Sequence, residues 1–420
     1  SMDVVAVTGT NGKTSTTWWL AQALTALGRR CGLMGTLGVG VPTPGADALA
    51  GLRATGLTTP DPVVCQATFR QWADDGIRAC AIEASSIGLA EHRLAGTDIA
   101  VAVFTNFTQD HLDYHGSMQA YWQAKHALFQ MPGLRAAVVN VDDPRGAALA
   151  SELLTATKSE QSSPVVWSYS LRPDTAARLT ARDLKATTAG QSCVVEERLS
   201  GGERVQARFS VPFVGSYNVA NLLGVVASLR ALGFSLVEAL QACGALAPVS
   251  GRLAAVNADA ALPASDRLPL VLVDYAHTPD ALEQVLLALR PVSQLRGGAL
   301  HCVVGCGGDR DAGKRPLMAA KAEAGADRVC LTSDNPRSED PMHILRQMSA
   351  GLNDPATVSI QPDRAQAIAH VIANAAQPDV VLIAGKGHET TQDIQGVKHP
   401  FSDHQHALAA LQQRWKDVQP

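Results

Sequence analysis

The sequence predicts an α/β fold with two domains, each built around a mostly parallel sheet. The chain has 420 residues, which is longer than one ordinary hydrophobic core supports. Short β-branched runs alternate with longer helical patterns, as in strand–helix–strand folds. Polar clusters follow many of the apolar runs, and the carboxyl ends of parallel strands are where ligands gather. We therefore expect domains at residues 1–248 and 249–420, each with a ligand site.

The first domain is predicted to be a mononucleotide-binding domain that begins with the strand VVAVT and a helix over TSTTWWLAQALTALG, ending at Gly28. Further strand-like runs, ACAIE, IAVAVFTN and AAVVNVDD, each lead into a polar loop. Between residues 163 and 214 the runs become short and alternating (VVWSYS, SCVVEERL and RVQARFSV), which predicts a small antiparallel annex. A helix over YNVANLLGVVASLRALG closes the domain.

The second domain is predicted to follow a hinge at APVSGRLAAV, where Pro248 and Gly251 interrupt the pattern. Beyond the hinge, strand-like runs alternate again with helical patterns: LVLVDYA, LHCVVGCG, DRVCLTS, TVSIQ and VVLIAGKG. This alternation is typical of a Rossmann-like α/β domain with a parallel sheet.

Bulk composition excludes several classes of function. The chain is 46% hydrophobic and 18% charged, as in folded globular proteins, and its net charge of −4 does not indicate a nucleic-acid surface. No apolar stretch reaches about 18 residues, and no signal peptide opens the chain. The eight cysteines lie mostly inside apolar runs, which indicates buried thiols in a reducing compartment. We expect a cytoplasmic monomer without nucleic-acid partners or membrane insertion.

A glycine-rich loop, VTGTNGKTS at residues 7–15, separates the first strand from the first helix. Gly9 and Gly12 allow backbone N–H groups to turn toward an anion at a helix N-terminus, and Lys13 adds positive charge. Thr14 can offer a hydroxyl to Mg²⁺. The loop departs from a strict Walker A motif, because Val7 stands where the leading glycine belongs. The strand–loop–helix context still favours phosphate binding over a tight turn without function.

Three further residues of the first domain carry weaker signals. Glu83 ends a strand, where its carboxylate can reach a Mg²⁺ ion beside the phosphate loop. His111 follows another strand and offers an imidazole to a metal. Lys125 lies on a helical face between Trp122 and Phe129, and this pattern alone indicates a surface lysine whose stem packs on the aromatic rings.

In the second domain, the stretch SDNPRSEDP at residues 333–341 follows the strand-like run ADRVCLT. Its first proline cannot extend a sheet, because proline lacks an N–H and restricts its own φ. The stretch is therefore a loop at the carboxyl end of a strand, and it is crowded with charged side chains. GCGGDRDAGKR and IAGKGHE occupy comparable positions. Solvated surface charge is the alternative interpretation of all three clusters.

Taken together, these motifs resemble the Mur ligase superfamily, which joins an amino acid to a carboxylate at the expense of ATP. GTNGKTS, TTPD, EASS, NFTQDHLDYHG, YNVANLL, GRL, DYAHTPDAL, GCGGDRDAGKRP and GKGHE occur in the order of that family over nearly the whole chain. The resemblance is strongest to members that act on UDP-N-acetylmuramoyl-L-alanyl-D-glutamate in peptidoglycan biosynthesis. It implies that the reaction consumes ATP, passes through an acyl-phosphate intermediate and uses two Mg²⁺ ions. It also implies that Lys125 carries a carbamate derived from CO₂.

The resemblance also implies roles for individual residues. The catalytic set is Lys13, Glu83, His111 and Lys125, with metal contacts from Thr14, Glu83, His111 and Lys125. The nucleotide contacts are Gly9, Thr10, Asn11, Gly12, Lys13, Thr14, Ser15, Asn218, Arg252 and Asp274. The muramoyl-peptide contacts are Thr58, Thr59, Ser85, Glu91 and Arg93, although the relatives carry glutamine at the position of Glu91. The contacts of the added amino acid are Arg310, Asp334, Asn335, Pro336, Arg337, Gly385 and Glu389.

Arg337 indicates which amino acid is added. The side chain of L-lysine ends in an ammonium, which an arginine repels, whereas meso-diaminopimelate ends in a carboxylate that can take a bidentate pair from the guanidinium. Pro336 stiffens the loop that presents Arg337. Asp334 and Glu389 are expected to receive the distal ammonium of diaminopimelate. The resemblance of DNPR to the loop of diaminopimelate-adding members favours the same substrate.

The start of the sequence differs from that of the related ligases. Related ligases carry a UDP-binding domain ahead of the phosphate loop, whereas here the loop starts at Gly9, and Ser1 and Met2 resemble a remnant of expression. We therefore expect a shortened chain that lacks the UDP-binding domain.

The sequence leaves two alternative functions open. A folylpolyglutamate synthetase fits the early loop better, but the DNPR stretch argues against it. A nucleotide-binding module without ligase activity is the second alternative.

Overall fold

The structure, a computed structural model, describes residues 2–43, 51–156, 163–187, 190–211, 213–247, 249, 251–256 and 267–417. The chain forms two compact units, Ser1–Ala247 and Pro248–Pro420. The predicted α/β class is confirmed, because helices pack around a mostly parallel sheet in each unit.

The first unit alternates strands and helices up to residue 156 and then adds a run of strands. Its strands are β1 Asp3–Thr8, β2 Cys31–Gly35, β3 Gly38–Gly40, β4 Leu52–Arg53, β5 Ala79–Glu83, β6 Ile99–Phe104, β7 Ala136–Asn140, β8 Val165–Ser170, β9 Leu179–Thr187, β10 Gly190–Arg198 and β11 Arg204–Val211. Its helices are α1 Lys13–Ala26, α2 Pro62–Asp74, α3 Ser86–Ala90, α4 Leu112–His115, α5 Met118–His126, α6 Pro144–Ala156, α7 Ser216–Ala231 and α8 Leu236–Gly244.

The described strands of the first unit form one sheet in the order β11-β10-β9-β8-β7-β6-β1-β5-β2-β3-β4. β1 lies between β5 and β6 and pairs with both in parallel. The connection from β1 runs to β2 on one side, whereas the connection from the adjacent β6 runs to β7 on the other side. The carboxyl end of β1 therefore lies at a topological switch point of the sheet. Such points are where open α/β sheets bind ligands. The loop that begins at Gly9 leaves the sheet at this position.

One detail of the predicted annex is wrong. VVWSYS forms β8, which pairs with β7 in parallel and so continues the parallel part of the sheet. Within the predicted annex, β10 pairs in antiparallel fashion with β9 and β11, and β9 pairs with β8 in parallel, so these strands extend the same sheet. The period-2 alternation of side chains marks a strand but carries no information about its direction.

Glycines bound the first helix on both sides. Gly12 precedes α1 with a φ of 87°, and Gly28 follows it with a φ of 79°, both in the left-handed region that glycine adopts without strain. Gly28 N donates to the Thr25 carbonyl, which closes the last turn as predicted. Every residue from Thr14 to Leu24 except Gln22 is buried, so α1 is a central helix with neighbours on all sides.

The second unit repeats the strand–helix alternation. Its strands are β12 Ala254–Ala255, β13 Leu270–Asp274, β14 Leu300–Val304, β15 Arg328–Leu331, β16 Val358–Ile360, β17 Val380–Ala384, β18 Thr391–Ile394 and β19 Val397–Pro400. Its helices are α9 Pro279–Arg296, α10 Lys314–Gly325, α11 Pro341–Ser349, α12 Arg364–Asn374 and α13 Asp403–Asp417.

The described strands of the second unit form a sheet in the order β12-β13-β17-β14-β15-β16, in which only β12 is antiparallel. β18 and β19 form a separate hairpin. The clusters DYAHTPD, GCGGDRDAGKR, DNPR and GKGHE follow β13, β14, β15 and β17, respectively. Because these four strands are parallel, the four clusters collect at one edge of the sheet.

The predicted hinge is described only in part, since Pro248 lies outside the described residues. Gly251 has a φ of 68°, and a Cβ at this position would lie 2.3 Å from the backbone nitrogen of His388. All eight cysteines are buried free thiols, as predicted, and burial raises the pKa of Cys31 to about 12. Within the described parts of the chain, no helix combines the length and the apolar character that a membrane span requires.

Candidate functional site

The predicted phosphate loop of the first unit, residues 9–12, connects β1 to α1 and is hydrogen-bonded to the segment after β6. Thr10 N donates to the Asn106 carbonyl (2.9 Å), and Asn11 N donates to Asn106 Oδ1 (2.8 Å). Asn106 Nδ2 and Thr105 Oγ1 donate in return to the Asn11 carbonyl (3.0 and 2.6 Å). A Cβ on Gly9 would lie 1.9 Å from Thr105 Oγ1, so this close approach requires glycine. A neighbouring strand end therefore holds the loop in place.

Two lysines converge on the carbonyl oxygen of Gly9. Lys13 Nζ donates to the carbonyls of Gly9 (2.9 Å) and Thr10 (2.8 Å), and Lys125 Nζ donates to the Gly9 carbonyl (2.8 Å). Lys125 is 1% exposed, so the surface-lysine interpretation is wrong. Burial lowers the pKa of Lys125 well below its ordinary value, and the Lys13 charge lowers it further, with only Asp110 opposing them. This environment favours a neutral amine.

Tyr121 and His111 complete the surroundings of Lys125. The Lys125 Nζ atom lies 4.5 Å from the centroid of the Tyr121 ring, whose hydroxyl is hydrogen-bonded to Thr10 Oγ1 (3.1 Å). His111 has a φ of 53° directly before α4, and its ring lies 6.1 Å from that of Tyr121. Burial lowers the pKa of His111, Asp110 raises it, and the nearby lysine charges lower it further. The net lowering favours the neutral imidazole that can ligate a metal.

Glu83 lies at the end of β5, beside the start of α1, and is 1% exposed. Its carboxylate accepts from Thr14 Oγ1 (3.1 Å), Thr36 N (2.8 Å) and Thr36 Oγ1 (3.3 Å). The Thr36 hydroxyl also lies 3.2 Å from Thr58 Oγ1, which connects this carboxylate to the TTPD stretch. A Cβ on Gly35 would lie 2.3 Å from Glu83 Oε1, so glycine leaves the space that the carboxylate occupies.

The donors beside the phosphate loop suit a hard cation. A carboxylate oxygen of Glu83 and the hydroxyl of Thr14 are the ligand types that Mg²⁺ prefers. Within the described ranges, no group of three histidine, cysteine or acidic side chains is arranged to hold a metal. A Mg²⁺ ion here would therefore depend on these few oxygen donors together with substrate phosphate and water, which is the usual way that Mg²⁺ is bound.

Thr59 joins four of the predicted muramoyl-peptide residues into one network. Its hydroxyl donates to the Glu83 carbonyl (2.7 Å), lies 2.9 Å from Ser85 Oγ and accepts from Ser85 N (2.9 Å). The Thr59 carbonyl accepts from Arg93 Nη1 (2.9 Å). Arg93 Nε donates to Glu91 (2.9 Å), and this pairing lowers the pKa of the Glu91 carboxyl. The structure therefore brings Thr59, Ser85, Glu91 and Arg93 together.

Two asparagines of α7 occupy different environments. Asn221 lies against the phosphate loop, because a Cβ on Gly12 would come within 2.5 Å of Asn221 Oδ1. Asn218, the predicted nucleotide contact, donates to the Val214 carbonyl (2.7 Å) one turn earlier. Both asparagines are buried, as is Ser15 on α1. The helical spacing in YNVANLL predicts that both asparagines can bind a base or a phosphate, and Asn221 is the one that lies beside the loop.

Asp274 and Arg252 of the second unit lie at the carboxyl end of β13. The Asp274 carboxylate accepts from Leu253 N and Ala276 N (2.7 Å each). Burial raises the pKa of Asp274, and Arg252 is the strongest influence that lowers it. The Arg252 guanidinium lies 4.5 Å from the centroid of the Tyr275 ring. The aspartate therefore joins the segment before β12 to its own loop, while the arginine lies on an aromatic face.

Arg337, in the DNPR loop after β15, has a φ of 51°, which is unusual for a residue other than glycine. Hydrogen bonds to the β18–β19 hairpin hold it there: Arg337 N donates to the Asp393 carbonyl (2.9 Å), and Gln395 N donates to the Arg337 carbonyl (2.7 Å). Arg337 Nη1 donates to the Gly308 carbonyl (2.6 Å). The hairpin therefore determines how the guanidinium is presented.

The other residues predicted to contact the added amino acid lie around the same DNPR loop. Asp334, Asn335 and Pro336 are buried, and Asn335 Nδ2 donates to Glu389 Oε2 (2.9 Å). A Cβ on Gly385 would lie 2.6 Å from Asp334 Oδ2, so the end of β17 approaches the loop closely. The structure therefore brings these five residues together at one strand edge.

The arginines that follow β14 differ in their surroundings. A Cβ on Gly307 would lie 2.8 Å from Arg337 Nη1 and 3.8 Å from Arg310 Cγ, so Arg310 lies beside Arg337 as predicted for a shared pocket. Arg315 is buried and forms a bidentate pair with Glu339 (2.7 and 2.8 Å), which lowers the pKa of Glu339 to about 2. The Arg315–Glu339 pair is therefore a support for the loop.

Sequence reasoning missed several residues of the site. Asn106 and Thr36 help to hold the phosphate loop and Glu83, and the Tyr121 ring lies against Lys125. None of the three carries a charge, and none was given a role. Asn106 could have been found from its place at the end of IAVAVFTN. Lys386 lies inside the quoted GKGHE stretch but received no role.

Comparison with known proteins identifies the family of both units. Residues 7–229 match the Mur ligase middle domain, and residues 262–387 match the Mur ligase, glutamate ligase domain. A UDP-N-acetylmuramoyl-L-alanyl-D-glutamate--2,6-diaminopimelate ligase from Acidovorax sp. (strain JS42) is 55% identical over 420 residues, which cover 98% of this chain and 78% of that protein.

Solved structures are similar over the same extent. A structure of a UDP-N-acetylmuramoyl-L-alanyl-D-glutamate--2,6-diaminopimelate ligase has a TM-score of 0.65 at 37% identity and covers 99% of this chain and 79% of its own. The folylpolyglutamate synthase of Mycobacterium tuberculosis also has a TM-score of 0.65, covering 100% of this chain and 92% of its own, but at 18% identity. The second likeness concerns the fold alone.

Proposed function

Because this chain belongs to the Mur ligase family, we propose that it is an ATP-dependent ligase of peptidoglycan biosynthesis. Its substrates are UDP-N-acetylmuramoyl-L-alanyl-D-glutamate and meso-diaminopimelate. The Acidovorax ligase with this name is 55% identical, and a structure with this name is 37% identical over 99% of the chain. The resemblance seen in the motifs is thereby confirmed for the family.

The first chemical step is phosphoryl transfer to the D-glutamyl carboxylate. A carboxylate oxygen forms a bond to the γ-phosphorus of ATP, and the bond between that phosphorus and ADP breaks. Lys13 and the N–H groups of the Gly9–Thr14 loop stabilise the negative charge of the phosphates. Asn218, Arg252 and Asp274 are the proposed contacts to the rest of the nucleotide. Support comes from the left-handed conformations of Gly9 and Gly12, which turn the loop at the head of α1.

Thr14 and Glu83 are the proposed contacts of Mg²⁺ in this unit, with His111 as a further ligand. When bound, Mg²⁺ supplies positive charge at the transferring phosphate. The hydrogen bond between Thr14 Oγ1 and Glu83 (3.1 Å) supports this assignment, since it brings two hard oxygen donors together. Thr36 holds the Glu83 carboxylate from its other side.

Lys125 is proposed to carry a carbamate. In this modification the neutral amine forms a bond to the carbon of CO₂ and releases a proton. Two features support it: burial of Lys125 beside Lys13 lowers its pKa, and its Nζ lies at the phosphate loop against the Gly9 carbonyl. The change converts the neutral amine into an anion, which the neighbouring Lys13 charge stabilises.

The muramoyl-peptide is proposed to contact the network around Thr59. Ser85 caps α3 through its hydroxyl, and Arg93 is held by the Thr59 carbonyl and by Glu91. An arginine fixed in this way loses little side-chain entropy when it pairs with a substrate carboxylate. Thr58 extends the same surface toward Glu83 through Thr36.

The second chemical step is attack of the amine of meso-diaminopimelate on the acyl phosphate. A C–N bond forms, the C–O bond to phosphate breaks, and the nitrogen loses a proton. Arg337 is proposed to pair with the distal carboxylate, with Arg310 beside it, while Asp334 and Glu389 receive the distal ammonium. The burial of Asp334 and the fixed backbone of Arg337 support this assignment.

The observation that carries the proposal is the convergence of Lys13 and Lys125 on Gly9, with Thr14 and Glu83 alongside. The experiment measures phosphate release from ATP by the purified chain, with the product identified by mass spectrometry. We expect release only when both the muramoyl-dipeptide substrate and meso-diaminopimelate are present, with a product heavier by one diaminopimelate residue. Release driven by a folate and glutamate would favour the folylpolyglutamate alternative, and nucleotide binding without any release would favour the binding-module alternative.

A further inference from the structure

Lys386 follows β17 and is the largest charged side chain of the GKGHE stretch. Its flanking glycines, Gly385 and Gly387, have φ values of 123° and 54°, so the chain turns on both sides of the lysine. A Cβ on Gly387 would lie 2.7 Å from the Gly251 carbonyl oxygen. Neither glycine position therefore has room for a side chain. The side chain of Lys386 itself is 0% exposed.

The buried ammonium of Lys386 bridges two residues of the proposed amino-acid pocket. Lys386 Nζ donates to Asn335 Oδ1 (2.9 Å) and to Glu389 Oε2 (2.8 Å). Asn335 Nδ2 donates to the same Glu389 oxygen (2.9 Å), and Asn335 Oδ1 also accepts from Asp393 N (3.0 Å). Asn335 and Lys386 therefore both engage one oxygen of the Glu389 carboxylate and fix its orientation.

We propose that Lys386 is a positioning residue that determines amino-acid specificity by holding Asn335 and Glu389, an inference that rests on the proposed function. Lys386 acts through two neighbours and has no contact with the reacting atoms. A buried cation costs free energy unless it is paired, and the partners of Lys386 are two residues of the proposed amino-acid pocket. Lys386 also places a positive charge next to the proposed pocket residues Asn335 and Glu389.

That charge discriminates between the two candidate amino acids. The distal end of meso-diaminopimelate carries an ammonium and a carboxylate, whereas the distal end of L-lysine carries an ammonium alone and is more positive by one charge. Removing the Lys386 charge therefore favours L-lysine relative to diaminopimelate, by Coulomb's law, whatever the total charge of the pocket. A residue that only stabilised the fold would affect both amino acids alike.

The experiment compares wild type with Lys386→Met, Glu389→Gln and the double variant. We expect Lys386→Met to lower kcat/KM for meso-diaminopimelate by roughly 10- to 100-fold, as loss of a charged hydrogen-bond partner does. The product ratio of diaminopimelate to L-lysine in a competition assay should fall, while KM for ATP should stay within about threefold. In the Glu389→Gln background, Lys386→Met should add little, because the two residues act as a unit.

Lys321→Met is the matched control. Lys321 forms a lysine–glutamate pair of similar length with Glu283 (2.7 Å), but it is 40% exposed and lies on α10. We expect this variant to keep wild-type selectivity. Thermal unfolding is measured for all variants, and if Lys386→Met does not fold, Lys386→Gln carries the same selectivity test, because it removes the charge and keeps a donor.

Two outcomes overturn the inference. Equal losses with diaminopimelate and L-lysine would make Lys386 a stabilising residue only, and additive effects of Lys386→Met and Glu389→Gln would mean that it does not act through Glu389. A wild-type chain that does not use diaminopimelate at all would instead contradict the proposed function, so the two failures are distinguishable.

Discussion

The two candidate sites, one in each unit, each contain a buried lysine, and the two lysines differ in their surroundings. Lys125 is 1% exposed and Lys386 is fully buried, and each lies beside a loop at the carboxyl end of a parallel strand. Lys125 has the carbonyl of Gly9 as its acceptor, and the charge of Lys13 lowers its pKa. Lys386 has the carboxylate of Glu389 as a partner instead.

The difference shows how the environment of a side chain sets its chemistry. Burial beside a like charge destabilises the ammonium form of Lys125, which makes its amine available for modification. Burial beside a carboxylate gives Lys386 a counter-charge, which suits it to hold other residues in place. The two proposals therefore assign the same residue type to reactivity in one unit and to specificity in the other.

The largest effect is expected for Lys125→Ala. We expect kcat to fall by at least about 10³-fold, because the variant removes a group next to the transferring phosphate. Phosphate-release assays measure the loss, and added acetate should restore part of the activity by occupying the space of the carbamate. Full activity, or no response to short carboxylic acids, would contradict a carbamylated Lys125.

Arg337→Ala tests whether the site in the second unit selects meso-diaminopimelate over L-lysine. We expect kcat/KM for meso-diaminopimelate to fall by roughly 30- to several-thousand-fold, because the distal carboxylate loses a charge-assisted pair. The loss with L-lysine should be small. Arg346→Ala is the control, since Arg346 is 65% exposed in the same unit and should leave both values unchanged. An Arg337→Ala variant with wild-type selectivity would refute the assignment.

Gly12→Ala tests whether the loop geometry in the first unit is required. Alanine at a φ of 87° is strained, and its Cβ would lie 2.5 Å from Asn221 Oδ1. We expect a loss of stability of about 1–3 kcal/mol together with weaker ATP binding. Gly28→Ala is the matched control, because Gly28 has a similar φ of 79° but no atom within 4 Å. Equal ATP affinity in the two variants would mean that the Asn221 contact is unimportant.

The smallest effect is expected for the titration of His388. Burial and a neighbouring positive charge lower its pKa, as they lower the pKa of Lys125. Burial and the charge of Arg252 lower the pKa of His388 to about 4. Its ring should therefore remain neutral from pH 8 to pH 5 in an NMR titration. Because the unfolded histidine has its ordinary pKa of about 6.5, this group's contribution to stability is full above that pH and decreases as the pH falls toward about 4. A midpoint near 6.5 in the folded chain would contradict this.

The positions of the loops could be predicted from the sequence, because each polar cluster directly follows an apolar run. DNPR and GKGHE follow β15 and β17 as expected, and the phosphate loop follows β1. The direction of β8 could not be predicted, since alternation in VVWSYS is compatible with either pairing.

The burial of Lys125 could not be predicted from its own helix. Flanking aromatic residues such as Trp122 are equally compatible with a lysine that lies along the surface, and the decisive contact is with Gly9, more than a hundred residues away. The partners Thr36 and Asn106 were missed for the same reason: their importance arises from tertiary contacts, which local sequence does not encode.

The most direct test of the contrast between the two lysines is ¹³C NMR of the chain incubated with ¹³CO₂. We expect a carbamate carbon signal that grows as the pH rises through the lowered pKa of Lys125, because only the neutral amine reacts with CO₂. This signal should disappear in Lys125→Met and persist in Lys386→Met. A signal that survives Lys125→Met, or the absence of any carbamate signal in the wild-type chain, would contradict the account.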